Sequence, residues 1–355
     1  MKYKLLTVFL LVICFPAIIT AQISGSSAGS QSLGQITQNI QLRWDPFFGS
    51  GVLSTGDHYA AFFAGSAGEE GPVLFDNREI LNLPLPYQEG GELRFPEAFV
   101  LGVNSTFTRL LEDELSRFRI AAIVIDPGHG GNDSGASATH NVNGTTIKSI
   151  EKDIVLRVSQ LLYARLSAAY PDKVVMLTRD GDYFVTLEDR TLIANGIPMK
   201  DNEAIIFVSV HANSTVSNPS ARGYEIWYLP PDYKRNLLDS SNFSGSPEIL
   251  PILNDMMREE FFTESRLLSQ RILNQFNEIF GHLMPSRGLK ENDWFVVRNA
   301  RMPSVLVELG FVSNQTDAVL MNDEAYLIKF AEALYNGITE FVTLFELSGG
   351  FTALY

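Results

Sequence analysis

The sequence predicts an α/β fold: a mostly parallel sheet flanked by helices on both faces, preceded by a small all-β N-terminal domain. Three observations predict it. From about residue 119, β-branched apolar runs alternate with longer stretches of helical periodicity, the pattern of a parallel sheet joined by crossover helices. The stretch that opens at Glu151 repeats Ile154, Val155, Val158, Leu161, Leu162 and Leu166 at helical spacing, which gives it one apolar face. Three of the apolar runs stop abruptly at or just before His129, His211 and Glu308, and ligands of open α/β sheets gather at such carboxyl ends.

Taken in order, strand 120–126 carries Ile123, Val124 and Ile125 into the turn Asp126-Pro127-Gly128-His129-Gly130-Gly131. Helix 151–168 is the amphipathic stretch just described, followed by strand 174–178 and helix 187–196. Strand 204–210 is the buried run Ile205-Ile206-Phe207-Val208-Ser209-Val210, which ends in His211-Ala212-Asn213. Strand 223–229 follows, then helix 262–280 with Leu267, Leu268, Ile272 and Leu273 on one face. Strand 304–309 contains Val305, Leu306 and Val307 before Glu308, and helix 323–343 completes the α/β region, expected over 119–345 with a tail at 346–355.

The N-terminal part reads differently. Met1-Lys2-Tyr3-Lys4, a short apolar run and Ala21 form the pattern of a signal peptide over 1–21, so export is expected. A serine- and glycine-rich leader over 22–35 has little to bury. Over 36–106, short apolar runs punctuated by Gly, Asp, Asn and Pro predict the β-rich accessory domain, and 107–118 reads as a charged linker helix. Trp44, Phe47, Phe48, Tyr59 and Phe62 are either its core or a sugar-stacking face.

Composition narrows the chemistry. The single cysteine, Cys14, lies within the expected leader, so a mature chain without it has neither disulfides nor cysteine-ligated metal. With 41 acidic against 27 basic side chains the formal charge is −14, and no basic stripe offers itself to nucleic acid. No apolar stretch of the mature chain is long enough for a transmembrane helix. Two histidines and two glutamates, His129, His211, Glu151 and Glu308, suit a hydrolytic zinc site with three ligands, one open position and a carboxylate base. Glu151 on its own reads equally well as a first-turn acid that complements the helix dipole. Glu308 without a metal nearby would need an ion pair, for which Arg298 or Arg301 is available.

Asp126-Pro127-Gly128-His129-Gly130-Gly131, Glu151, Thr178-Arg179, Ser209-Val210-His211-Ala212-Asn213 and Val307-Glu308-Leu309-Gly310-Phe311-Val312-Ser313-Asn314 together resemble the motifs of zinc-dependent N-acetylmuramoyl-L-alanine amidases. The likeness runs over about 119–343, in the family's order. It implies a zinc-hydrolase-like version of the α/β fold, Zn²⁺ as cofactor, and His129, Glu151 and His211 as its ligands. Glu308 then serves as the catalytic base that activates water and returns a proton to the leaving amine. The implied substrate is peptidoglycan, cut between N-acetylmuramic acid and L-alanine of the muramyl peptide, in the periplasm or cell wall, with an activator protein as a further partner.

Lesser roles follow for neighbours. Asp126 and Asn213 are candidates to orient the ligand imidazoles, or to form turns. Arg287 is a candidate to meet the acidic stem peptide. Thr178-Arg179-Asp180 and Glu188-Asp189-Arg190 suggest an internal salt bridge. The same ligand set would serve a zinc peptidase acting on stem-peptide bonds, and a wall-binding scaffold with an inactive enzyme domain is the non-enzymatic alternative. Residues 239–261 either carry an occluding carboxylate such as Glu259 or Glu260, in a segment helical after Pro251, or form a substrate-groove wall or a surface excursion packed by Ile252, Leu253 and Met256.

Overall fold

The computed structural model describes residues 40–218, 220–238 and 248–350. The expected signal peptide, the leader, residues 239–247 and the last five residues of the tail lie outside them. The chain divides into two compact units, one through Ser116 and one from Arg117 onward.

The first unit is an antiparallel meander of β1 (Gln41–Asp45), β2 (Ser50–Thr55), β3 (His58–Phe63), β4 (Glu70–Phe75) and β5 (Glu79–Pro84), in that spatial order. A hairpin of β6 (Tyr87–Glu89) and β7 (Glu92–Arg94) leads into α1 (Glu97–Ser116). Alternation places Leu53, Ala60, Phe62, Val73 and Phe75 on one face, where Phe99, Val100, Val103 and Phe107 of α1 cover them. The helix expected over 107–118 therefore begins ten residues earlier, and its apolar stripe packs into this core instead of linking. Phe62 is buried with Trp44 stacked on it, whereas Phe47 and Phe48 are exposed at the β1–β2 turn.

The second unit opens with β8 (Arg119–Pro127), then a hairpin of β9 (Ser137–Val142) and β10 (Thr145–Ile150) that delivers the chain into α2 (Glu151–Ala169). There follow β11 (Val174–Leu177), α3 (Leu187–Asn195), β12 (Glu203–Asn213), β13 (Tyr224–Tyr228), α4 (Leu250–Phe280), β14 (Ser286–Glu291), α5 (Phe295–Asn299), β15 (Ser304–Phe311), α6 (Gln315–Met321) and α7 (Glu324–Ser348). The sheet order is β11-β8-β12-β15-β13-β14. Four neighbouring strands run parallel, while β13 pairs antiparallel with β15 and carries β14 parallel to itself. The connection over 214–223 is too short for a crossover helix, so β13 returns in the opposite sense.

Alternation along the strands builds two cores. Ile123, Ile125, Val208, Val210, Val305 and Val307 face α2, α4 and α7. Ala122, Val124, Ile205, Phe207 and Leu306 meet the smaller layer of α3 and α5. Helices thus cover both faces, which is why the central strands carry continuous apolar runs.

The structure corrects the expectation for Glu259 and Glu260. α4 is one helix from Leu250, with Pro251 in its first turn where its missing N–H costs nothing. Ser304, at the start of β15, donates its N–H to Ser265 of α4, and Tyr224, beside the carboxyl end of β15, donates to Asn277. α4 therefore runs parallel to β15, and Glu259 and Glu260, which precede Ser265, lie beyond the sheet end opposite Glu308. Strand and helix rises put about 20 Å between them. Ile252 and Met256 are exposed, so they do not pack an excursion either.

Candidate metal centre

The carboxyl end of β8 breaks into a tight loop because Gly130 and Gly131 adopt positive φ, and His129 itself sits at φ 59°. This turns its imidazole back over the sheet end. The loop is held from beneath by two buried arginines: Arg179 donates to the carbonyls of Pro127 and Gly128, and Arg190 to those of Pro127 and His129. Arg190 also pairs with Asp126 at 2.7 Å, both side chains being buried. That is the internal salt bridge expected of the second arginine motif, while Arg179 takes backbone carbonyls.

Near the carboxyl end of β12 stands His211, whose ring centroid lies 5.0 Å from that of His129. Gly128 permits the approach: a Cβ there would stand 2.3 Å from the His211 ring. Between the two imidazoles comes Glu151, the first residue of α2, with only 5% of its surface exposed. Its Oε1 is 3.0 Å from His211 Nδ1 and 3.1 Å from His129 Nε2. It accepts the Ala212 N–H at Oε1 and the Ala136 N–H at Oε2. Gly135, at φ 61°, allows the close packing, since a Cβ would fall 2.6 Å from both Glu151 Oε2 and the His129 ring. Burial alone would raise the Glu151 pKa, but hydrogen bonds from the two imidazoles outweigh it and hold the carboxyl far below the usual range. Burial likewise pushes His129 down, and Glu151 and Asp133 carry it above its ordinary value.

Ligand atoms of His129, Glu151 and His211 all lie within 4.8 Å of one another, a grouping able to hold a metal ion. Two imidazole nitrogens and one carboxylate oxygen, with no thiolate, match the donor set of a three-ligand metal site with an open position. Glu308 stands beside it: it is paired in register with His211 across β12 and β15, so both side chains leave the same face of the sheet. Among the described residues no arginine pairs with it; Arg298 pairs with Asp293 at 3.5 Å. Its Oε2 is buried without a hydrogen-bond partner. Burial first, then the charges of Glu151 and Glu225, raise its pKa well above the ordinary value.

The structure separates Asp126 and Asn213 from the orienting role. Asp126 is fully buried and accepts from Thr178, Arg190 and Ser209. Asn213 donates to Glu225 at 2.7 Å, beyond the strand irregularity that follows His211. Outside the three clustered residues, Asp133 meets an imidazole: its Oδ2 lies 2.8 Å from His129 Nδ1. Sequence reasoning missed it; an acid four positions after a loop histidine was the available signal. His140 bonds the Val312 carbonyl at 2.9 Å. Arg287 reaches Glu225 at 2.6 Å.

Comparison with known proteins gives consistent matches to this unit. Residues 123–340 match the family model described as N-acetylmuramoyl-L-alanine amidase. An uncharacterised protein of Bacillus subtilis, YqiI, is 34% identical over 219 residues, covering 62% of this chain and 84% of its own. The endolysin of Bacillus phage SPP1 is 34% identical over 228 residues, covering 64% of this chain and 68% of its own. Among solved structures, the N-acetylmuramoyl-L-alanine amidase AmiC2 of Nostoc punctiforme is 28% identical with a TM-score of 0.46, over 62% of this chain and 97% of that one.

Proposed function

Because the chain belongs to the N-acetylmuramoyl-L-alanine amidase family, we propose that it hydrolyses the amide joining N-acetylmuramic acid to L-alanine in peptidoglycan. In this reading His129, Glu151 and His211 hold one zinc ion and Glu308 is the catalytic base. The observation that carries it is the convergence of those three ligand atoms beside an unpaired, buried carboxyl oxygen.

When bound, zinc would supply Lewis acidity, polarising the scissile carbonyl and making water a competent nucleophile at neutral pH. Glu151 compensates the two imidazoles electrostatically and, anchored by the Ala136 and Ala212 N–H groups, fixes their orientation. Asp133 holds the His129 ring through Nδ1, leaving Nε2 for the ion. Glu308 takes the proton of the attacking water and hands it to the departing amine of L-alanine. Its position beside the ligand set, with a buried oxygen that has no hydrogen-bond partner, leaves it able to exchange a proton. The wall substrate agrees with export to the periplasm or cell wall, and no described helix is long and apolar enough to cross a membrane.

The test is to incubate the full-length protein with purified peptidoglycan and identify the released products by mass spectrometry. Stem peptides with L-alanine at a free N-terminus, and glycan bearing the intact lactyl carboxyl, are expected. Fragments cut within the peptides would make the protein a zinc peptidase instead. A folded, zinc-loaded protein that binds wall and releases nothing would make it a scaffold.

A further inference from the structure

The row that contains His211 and Glu308 continues across the sheet. Glu225 of β13 pairs with Glu308, and Arg287 lies in the irregularity that β14 makes opposite Glu225. Glu225 is buried, yet it is oversupplied with donors: Arg287 Nε at 2.6 Å, Lys290 Nζ at 3.2 Å, Asn213 Nδ2 at 2.7 Å and Trp227 Nε1 at 3.2 Å. One carboxylate needs one cation for neutrality, and two are gathered here. The terminal nitrogens of Arg287 have no acceptor among the described residues.

These two cations line a cavity of about 530 Å³ whose wall includes a third, Arg222. Arg222 is matched by the buried Asp317 at 3.3 Å. Three cations thus face two buried carboxylates, a local positive surplus in a chain of formal charge −14. Ser220 and Ser286 add hydroxyls to the same wall. Arg287 Cζ lies 4.9 Å from the Phe311 ring centroid and Lys290 Nζ 5.3 Å from that of Trp227, so both are preorganised rather than free in solvent.

Spacing gives the ligand's length. Strands about 4.8 Å apart put Arg287 roughly 10 Å from Glu308, while an extended peptide advances about 3.5 Å per residue. We propose that Arg287 and Lys290 bind a free carboxylate on the second or third residue of an acidic peptide whose first residue lies at Glu308. The groove then selects stem peptides by their acidity; the placement of the first residue rests on the amidase reading.

The test measures binding, by calorimetry, to the full-length Glu308→Gln protein supplied with zinc. The probes are two N-acetylmuramoyl tripeptides, identical except that the carboxyls of residues two and three are free in one and primary amides in the other. The free acid should bind at least about tenfold more tightly, as expected for a charge-assisted contact, with the advantage shrinking as salt is raised. Adding Arg287→Gln should abolish the preference, and adding Lys290→Gln should reduce it without disturbing the Arg287–Glu225 bond. Equal affinities, no binding of either probe, or a preference that survives both variants would overturn the proposal. Products formed by the wild-type protein from the amidated probe report separately on the amidase reading: a cut elsewhere would end that reading and leave the acid preference standing.

Discussion

Glu308 and Glu225 face each other across the antiparallel pairing of β15 with β13, two carboxyl groups projecting from one face of the sheet. Glu225 is surrounded by donors, whereas Glu308 has a buried oxygen with none. The asymmetry separates the two: Glu225 is tied into ion pairs, and Glu308 is the carboxyl to which the proposed mechanism gives the proton transfers.

A pH dependence of stability follows. Burial, with the charges of Glu151 and Glu225, raises the Glu308 pKa in the folded chain, so the unfolded chain ionises first as pH rises. Its contribution to stability is complete below the ordinary glutamate pKa of about 4.3 and is lost as pH climbs through the folded value. Glutamine does not ionise. Chelator-treated Glu308→Gln protein should therefore melt above chelator-treated wild type at about pH 8, with the gap closing near pH 4. Thermal melts at the two pH values check it, and a gap of constant size would refute the assignment.

Asp133 is expected to set metal affinity through the His129 ring. Asp133→Ala should weaken zinc binding about 10- to 100-fold, the usual cost of losing such a partner, while leaving the fold intact. Competition with a chromogenic chelator measures this. Unchanged affinity would show that the loop backbone alone orients the imidazole.

Gly128→Ala should displace the His211 ring, because the added Cβ would lie 2.3 Å from it and the ring is fixed by Glu151. Zinc affinity and hydrolysis should fall together, with far-ultraviolet circular dichroism unchanged. Retention of full zinc affinity would mean the ring can shift without loss.

The buried Asp126–Arg190 pair supports the loop that presents His129. Asp126→Ala leaves Arg190 charged and uncompensated, a change that costs about 3–5 kcal/mol for pairs of this kind. Denaturant unfolding should show a loss of that order, and a loss below about 1 kcal/mol would indicate that the carbonyls of Pro127 and His129 suffice for Arg190.

The parallel core was legible in the sequence because strands covered on both faces carry unbroken runs such as Ile205 to Val208, and the meeting of His129 and His211 at one sheet end because those runs stop at His211 or lead into the His129 turn. β14 was not legible: Ser286-Arg287-Gly288-Leu289-Lys290-Glu291 is a polar edge strand with a glycine, without the alternation that marks a half-buried strand. The β9–β10 hairpin is mostly polar, and α6 is only seven residues long. Asp126 and Asn213 misled through their nearness in sequence to the histidines. Asp126 points at Thr178, Ser209 and Arg190, and the strand irregularity after His211 carries Asn213 to Glu225. Asp133 was hidden in a loop whose fold depends on glycine conformations that periodicity does not encode.

The central claim is that His129, Glu151 and His211 hold the metal while Glu308 performs the proton transfers without being a ligand. Zinc stoichiometry and peptidoglycan hydrolysis measured on the same preparation of Glu308→Gln test it most directly. About one zinc per chain, with hydrolysis reduced at least about 10²-fold as expected for loss of a general base, is the predicted result. Near-wild-type hydrolysis, or loss of the zinc along with the activity, would contradict it.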